Sequence, residues 1–465
     1  MIDGKLEMPV RCAAFGGCAG VGGVSGVHGD YEALRREARA MEAQLRQWRR
    51  DFHTYAEPGW CEVRTASRVA GELTRLGYEV LTGRDVCLAE ARMGLPPAEV
   101  LEAAYGRALE QGADPQFAAA ARGGFTGVIG VLRCGPGPVT ALRFDMDALG
   151  VRESEAPDHR PAAEGFRSVN EGVMHACGHD GHTAMGLAAA RLLMRRRDRL
   201  RGTVKLIFQP AEEGVRGAAA IVAAGHLDDA DYVLATHMGD RGTGNGQVGL
   251  TTGTTLATAK LDIAFTGRAV HAAMAPEQGA NALLAAAAAV LALHGLPRHS
   301  GGDTRVNVGT LRAGTGRNVV CDRAVLEAEV RGATTAVCDD LEQAARRIVQ
   351  GAAEMEGCTC DVVRAGAAGA LFSDAPLLAL CRETAEAMGL CVPPTGTTDS
   401  ASEDFAAMAD RVRSRGGQAL YFRTLTACSG PFHSAAFDFD ESALPDGAAL
   451  LAALALRLSH SLVAE

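Results

Sequence analysis

The chain has 465 residues, which at about 150 residues per domain leaves room for two or three domains and excludes a small scaffold held by disulfide staples. Its formal net charge is −10, with 22% charged residues. That sign is wrong for general binding to nucleic acid or to an anionic membrane, so small molecules are the expected partners. The 13 cysteines are an odd number, too sparse for a disulfide framework, and read as reduced thiols of a cytoplasmic protein with room for one thiol ligand.

Two stretches without Asp, Glu, Lys or Arg need checking as membrane spans. Residues 12–29 (CAAFGGCAGVGGVSGVHG) are too rich in glycine for a bilayer, and residues 1–30 are expected to form a flexible leader. Residues 278–297 (QGANALLAAAAAVLALHGLP) are mostly alanine, which gains little on entering lipid; a buried helix of a soluble protein is expected.

Charges and leucines recur at helical spacing over 31–50 and again over 64–77. Residues 84–122 form a helical insertion with Pro96, Pro97 and Pro115 as breakers. The runs PVTALRFDM, GTVKLIFQ and DYVLATH then read as apolar strands, with the helix AMGLAAARLLMRRR between the first two. This predicts an α/β fold with a mostly parallel sheet covered by helices, and chemistry at the strand carboxyl ends. Polar residues 241–259 mark a boundary, and 260–366 alternate strands and helices as an inserted α+β unit. A helix over 373–389, the strand QALYFR, a loop holding His433 and a closing helix complete the outer part. The expected division is therefore 31–252 with 370–465, around an insert of 253–369.

The densest polar cluster is MHACGHDGH (174–182), in which Cys177 and His179 stand two apart before a helix. A thiolate and an imidazole at that spacing can reach one metal, although such histidines also cap helices. The next strand ends in QPAEEG, where Glu212 and Glu213 point different ways, so one carboxylate could face a metal and the other a water; a solvated acidic pair is the alternative. The strand after that ends at His237, alone a packed imidazole. Three successive strand ends each delivering a donor to one sheet edge is poorly explained by accident. Asp145 and Asp147 share a face at another strand end and suit the orientation of a ligand or metal. His433 is a distant further donor, and His271, Asn318 and Arg331 in the insert could polarise a carbonyl or clamp a carboxylate.

Taken in order, RDFHTYAEPGW (50–60), ALRFDMDAL (141–149), MHACGHDGHTAMGLAAARLL (174–193), LIFQPAEEG (206–214), FTGRAVHAAMAPEQGANALLAAA (265–287), SEDFA (402–406) and FHSAAFDFDE (432–441) resemble the M20 family of metallopeptidases and amidohydrolases, in its HACGHDGH branch. The resemblance covers nearly everything beyond residue 31. It implies two divalent ions per subunit, manganese by resemblance with zinc as the alternative, held by Cys177 as a bridging thiolate with His179, Glu213, His237 and His433. Glu212 becomes the general base and Asp147 its catalytic companion. His271 is implied to stabilise the oxyanion from a partner subunit's lid, and Asn318 and Arg331 to hold the substrate's α-carboxylate.

It also implies that 253–369 is a lid and dimerisation domain, giving a homodimer or a hetero-oligomer with a paralogous M20 partner. The insertion at 84–122, FTGVIG (125–130) and GHDGHTAMGL resemble enzymes that cleave p-aminobenzoyl-glutamate to p-aminobenzoate and glutamate. The alternatives are hydrolysis of other N-acyl amino acids, such as hippurate or auxin conjugates, and a non-catalytic role in support of a paralogous partner. Gly150 and Cys321 stand where the family often has proline, both outside the implied ligand set.

Overall fold

The computed structural model describes residues 25–239, 244–251, 253–394 and 401–461. The first amphipathic segment forms two helices, Ser25–Ala40 and Glu42–Thr54, broken at Met41. The first helix thus begins inside the stretch expected to be leader, and residues 1–24 of that stretch lie outside the described residues. The insertion is helical over Ala98–Glu110 and Pro115–Ala121, and its prolines act as starters: Pro97 is the N-cap of one helix and Pro115 opens the other. A proline ring presets the helical φ where the missing N–H is not needed.

The longer strands are, in chain order, β1 (Glu79–Thr82), β2 (Val128–Arg133), β3 (Val139–Asp145), β4 (Thr203–Gln209), β5 (Tyr232–Gly239), β6 (Gln247–Leu250), β7 (Ala257–Thr266), β8 (Thr304–Ala313), β9 (Arg323–Gly332), β10 (Thr359–Ala368) and β11 (Gln418–Leu425). Seven form one sheet in the order β1, β2, β4, β3, β5, β11, β6. Its centre, β4, β3, β5 and β11, is parallel, while β1, β2 and β6 join antiparallel. The central strands are buried along nearly their whole length, as a sheet covered on both faces requires. A second sheet, ordered β10, β7, β9, β8, is wholly antiparallel and carries the helices Ala282–His294 and Thr335–Met355. β6 lies in the stretch read as a boundary, yet it pairs with β11.

The helix after β3 runs from His179 to Met194, beginning five residues earlier than its apolar run. It lies unusually close to the sheet. A Cβ on Gly186 would meet Phe208 at 2.7 Å and Phe144 at 2.8 Å. That close approach sets the height of the helix N-terminus over the strand ends. Helix Phe405–Ser414 went unrecognised in the sequence, although Phe405, Met408, Ala409 and Val412 form a buried face at helical spacing.

The alanine-rich helix 282–294 is only half buried. Ala282, Ala285, Ala286 and Ala289 pack inward, whereas Leu284 is 48% and Leu291 77% exposed. Small side chains let the backbone approach its sheet, which turns the larger leucines outward. Among the described residues no helix is long and apolar enough to cross a membrane, and Cys61, Cys87, Cys134, Cys177, Cys321, Cys338, Cys358, Cys360 and Cys381 are in no disulfide.

Candidate active site

At the carboxyl ends of β3, β4 and β5 the chain brings together the donors singled out in its sequence. Cys177, His179 and His237 form one group whose donor atoms lie within 4.8 Å of one another, and Cys177, Glu213 and His433 form a second. The thiol belongs to both groups. Cys177 Sγ is 3.4 Å from His237 Nε2, and His433 Nε2 is 3.4 Å from Glu213 Oε1. Ligand atoms around a common ion, with bonds of about 2.0–2.3 Å, are spaced at this order.

Each donor is aimed by a specific neighbour. His179 Nδ1 meets the Asp147 carbonyl at 2.9 Å, and His237 Nδ1 meets the Met238 carbonyl at 2.5 Å. With the proton on Nδ1, both rings turn the Nε2 lone pair toward the cluster. The Asp147 carboxylate accepts the backbone N–H groups of Glu212 at 3.0 Å and Glu213 at 2.9 Å. One side chain thereby fixes both glutamates. His433, far away in sequence, is tied in by its own N–H, donated to the Ala176 carbonyl at 2.8 Å.

The backbone is also strained here. Ala211, Val215 and His433 have φ of 50°, 59° and 64°, a region unfavourable for side chains and most of all for β-branched valine. Such conformations cost on the order of 1–3 kcal/mol each and persist where the surroundings over-determine them.

His182 does not join the two groups. Its Nδ1 lies 2.5 Å from Asp145, and its Nε2 accepts the Met238 N–H at 2.8 Å, bracing β5. Behind Glu212 sits a network that sequence reasoning missed. Buried Arg143 binds Asp145 at 2.6 Å, Glu403 at 2.9 Å and Asp404 at 3.1 Å, and Asp404 accepts the N–H groups of Gly217 and Ala218. An arginine in the middle of the apolar strand TALRFD was the available signal, since a buried guanidinium must find carboxylates.

The electrostatics fit a cation-binding cluster. Burial, then Glu213, pushes the Cys177 thiol up to about 12. Burial, then repulsion from Glu403 and Glu213, holds the Glu212 carboxyl well above the ordinary range. Burial, then His182 and Arg423, holds His237 well below the usual imidazole value, in the neutral form a ligand needs. For His179 burial acts downward but is outweighed by Asp145, which raises it; the same negative field attracts a metal ion. Both His179 Nε2 and Glu213 Oε1 are buried with no hydrogen-bond partner among the described residues. Such orphaned atoms are costly unless something outside the chain meets them. A soft thiolate with imidazoles and carboxylates is a donor set for divalent ions.

The groups open into a cavity of about 460 Å³, also lined by Lys260, Arg331, Ser402, Tyr421 and Arg423. Arg331 reaches it from β9, so the second sheet supplies one wall. His271 and Asn318 do not line the cavity. They lie together on an exposed part of the second unit, where the Ala272 N–H meets the Asn318 carbonyl at 3.0 Å.

Fold and donor cluster define a metal-dependent hydrolase, and residues 141–457 match peptidase family M20/M25/M40. The chain belongs to that family. It is 46% identical to the indole-3-acetyl-aspartic acid hydrolase of Enterobacter agglomerans over 91% of this chain and 98% of that protein. It is also 46% identical to one of the subunits of p-aminobenzoyl-glutamate hydrolase from Escherichia coli K12, with the same coverage. Among solved structures, the aminobenzoyl-glutamate utilization protein of Klebsiella pneumoniae superposes with a TM-score of 0.77 at 41% identity, over 91% of this chain and 98% of the other. A dinuclear metal-binding M20 peptidase of Bacillus subtilis gives a TM-score of 0.63 at 25% identity, over 91% and 99%.

Proposed function

We propose that the chain hydrolyses the amide bond of p-aminobenzoyl-glutamate, releasing p-aminobenzoate and glutamate. The observation that carries this reading is the cavity itself, which is lined both by the Cys177, Glu213 and His433 donors and by Arg331. An amide carbonyl can lie over the donors while the leaving amino acid's α-carboxylate faces the guanidinium.

The residues that would hold two divalent ions are Cys177 in common, His179 and His237 on one side, and Glu213 and His433 on the other. Manganese is the proposed metal, with zinc suited by the thiolate. Bound there, such ions would acidify a water and polarise the amide carbonyl. Glu212 takes the proton of the attacking water and passes it to the leaving nitrogen. Asp147 keeps Glu212 and Glu213 in register through their two N–H groups.

His271 and Asn318, outside this chain's own cavity, would complete the cavity of a second protomer, with residues 253–369 as lid and dimerisation domain. The exposed Leu284 and Leu291 support that surface. The 46% identical Escherichia coli relative is named as one part of a multi-subunit hydrolase, which supports the further reading of a hetero-oligomer with a paralogous partner. The free cysteines agree with a cytoplasmic setting, where thiols stay reduced.

The experiment is an assay of purified, manganese-loaded protein for release of p-aminobenzoate, beside hippurate and indole-3-acetyl-aspartate. Preferential cleavage of p-aminobenzoyl-glutamate supports the reading. Equal or better cleavage of indole-3-acetyl-aspartate moves it to a broader N-acyl amino acid hydrolase, the second reading, which the other 46% identical relative favours.

A further inference from the structure

β7 and β9 run antiparallel, with Lys260 opposite Glu329 and Thr258 opposite Arg331. Directly paired residues share a face, and so do alternate residues of one strand, so Lys260, Glu329 and Arg331 all project from the same side of the sheet. Lys260 and Arg331 are diagonal neighbours, with Cβ atoms about 7 Å apart in ordinary sheet geometry. Both line the cavity that contains Glu213 and His433.

The cations of this cavity are differently committed. Arg331 is gripped by Glu329 through two contacts of 3.1 Å and touches Ser402 Oγ at 3.3 Å. Arg423 lies against the Tyr421 ring, 6.0 Å from its centroid. Lys260, half-buried and lining the same cavity, has no side-chain hydrogen bond or ion pair among the described residues, and the acid across the ladder from it is taken by Arg331. An ammonium left uncompensated in a cavity wall beside an arginine is a second anion-reading group.

We propose that Lys260 is the specificity-determining residue for the side-chain carboxylate of a dicarboxylic leaving amino acid, glutamate or aspartate, while Arg331 meets its α-carboxylate. This rests on the proposed function and sharpens its substrate class. The planar guanidinium suits the fixed α-carboxylate, whereas the flexible lysine stem can follow a carboxylate that differs by one methylene. The acyl group then contributes less to recognition than the amino acid.

The test compares p-aminobenzoyl-glutamate with p-aminobenzoyl-glutamine, its isostere with an uncharged side chain, on the manganese-loaded full chain. The wild type favours the glutamate compound, and in Lys260→Met the glutamate-over-glutamine ratio of kcat/KM falls about tenfold or more, carried by KM. Lys260→Arg restores most of the ratio. A ratio that stays constant in Lys260→Met, whether both substrates lose activity together or neither does, overturns the proposal. If the wild type cleaves neither amide, the hydrolase reading fails separately, and calorimetric binding of the two compounds decides on Lys260. A glutamate preference lost in Lys260→Met supports the assignment, and equal binding by the wild type overturns it.

Discussion

The two sides of the cavity are built on opposite rules. At the strand ends of the large sheet the charges are buried and answered: Arg143 faces Asp145, Glu403 and Asp404, and Asp147 receives two backbone N–H groups. On the wall from β7 and β9, Lys260 is half-buried and has no protein partner among the described residues. Pairing of the groups behind the donors holds the donor atoms to the tolerance a metal demands and leaves His179 Nε2 and Glu213 Oε1 for the ion. An uncommitted cation on a separate sheet can select a substrate without disturbing those donors. Reaction chemistry and substrate choice are thus placed on different sheets.

Changes on the buried side should be severe and should separate by role. Glu212→Gln removes the base while leaving the donors of both groups intact, so turnover should fall by about 10²–10⁴-fold with metal content by elemental analysis equal to wild type. A parallel loss of metal would show that Glu212 is a ligand instead. Cys177→Ala removes the donor common to both groups and should deplete both ions, whereas His433→Ala should deplete one. Equal depletion by the two variants would contradict the shared-thiol arrangement.

Asp147→Asn is the milder probe, because it keeps the side chain's shape while removing its charge and one of the two oxygens that accept the Glu212 and Glu213 N–H groups. A loss of about 10–100-fold in metal affinity or activity is expected, read by titrating manganese against turnover. An unchanged titration would leave the two N–H contacts without consequence.

The smallest effect concerns a carboxyl just beyond the site. Glu62 accepts the Ala211 N–H at 2.7 Å and the Thr126 hydroxyl at 2.6 Å, and burial, then Asp147, raises its pKa to about 8. Its folded-state value lies above the unfolded one of about 4.3. Its contribution to stability is therefore full below that unfolded value and is lost as pH rises through about 8. Thermal melting between these limits should fall less steeply in Glu62→Gln than in wild type, and parallel slopes would count against a neutral Glu62.

Much of this was legible in the sequence, because Cys177, His179, Glu212, Glu213 and His237 sit in short motifs at the ends of apolar strands. The parallel centre of the sheet followed from the same strands and the helix between them. Features made by tertiary contact were less visible. Glu403 and Asp404 were seen only within SEDFA, and nothing local links them to Arg143, about 260 residues away. Lys260 lies within an ordinary alternating strand, and its meaning depends on the pairing of β7 with β9. Helix 282–294 was expected to be buried because its composition is apolar, but composition does not reveal that its alanines take the inner face and Leu291 the outer. The beginning of the helix at His179 was hidden by Gly181, a residue type that ordinarily ends helices and here permits close packing on Phe439 and Leu444.

The central claim is a two-ion site, built around one shared thiolate, that drives amide hydrolysis. Its most direct test is to count bound manganese per chain while following p-aminobenzoate release as metal is titrated into the metal-free protein. The account predicts two ions per chain at full activity, with Cys177→Ala holding neither firmly and releasing no product. Full turnover by metal-free protein, or by Cys177→Ala, would contradict it.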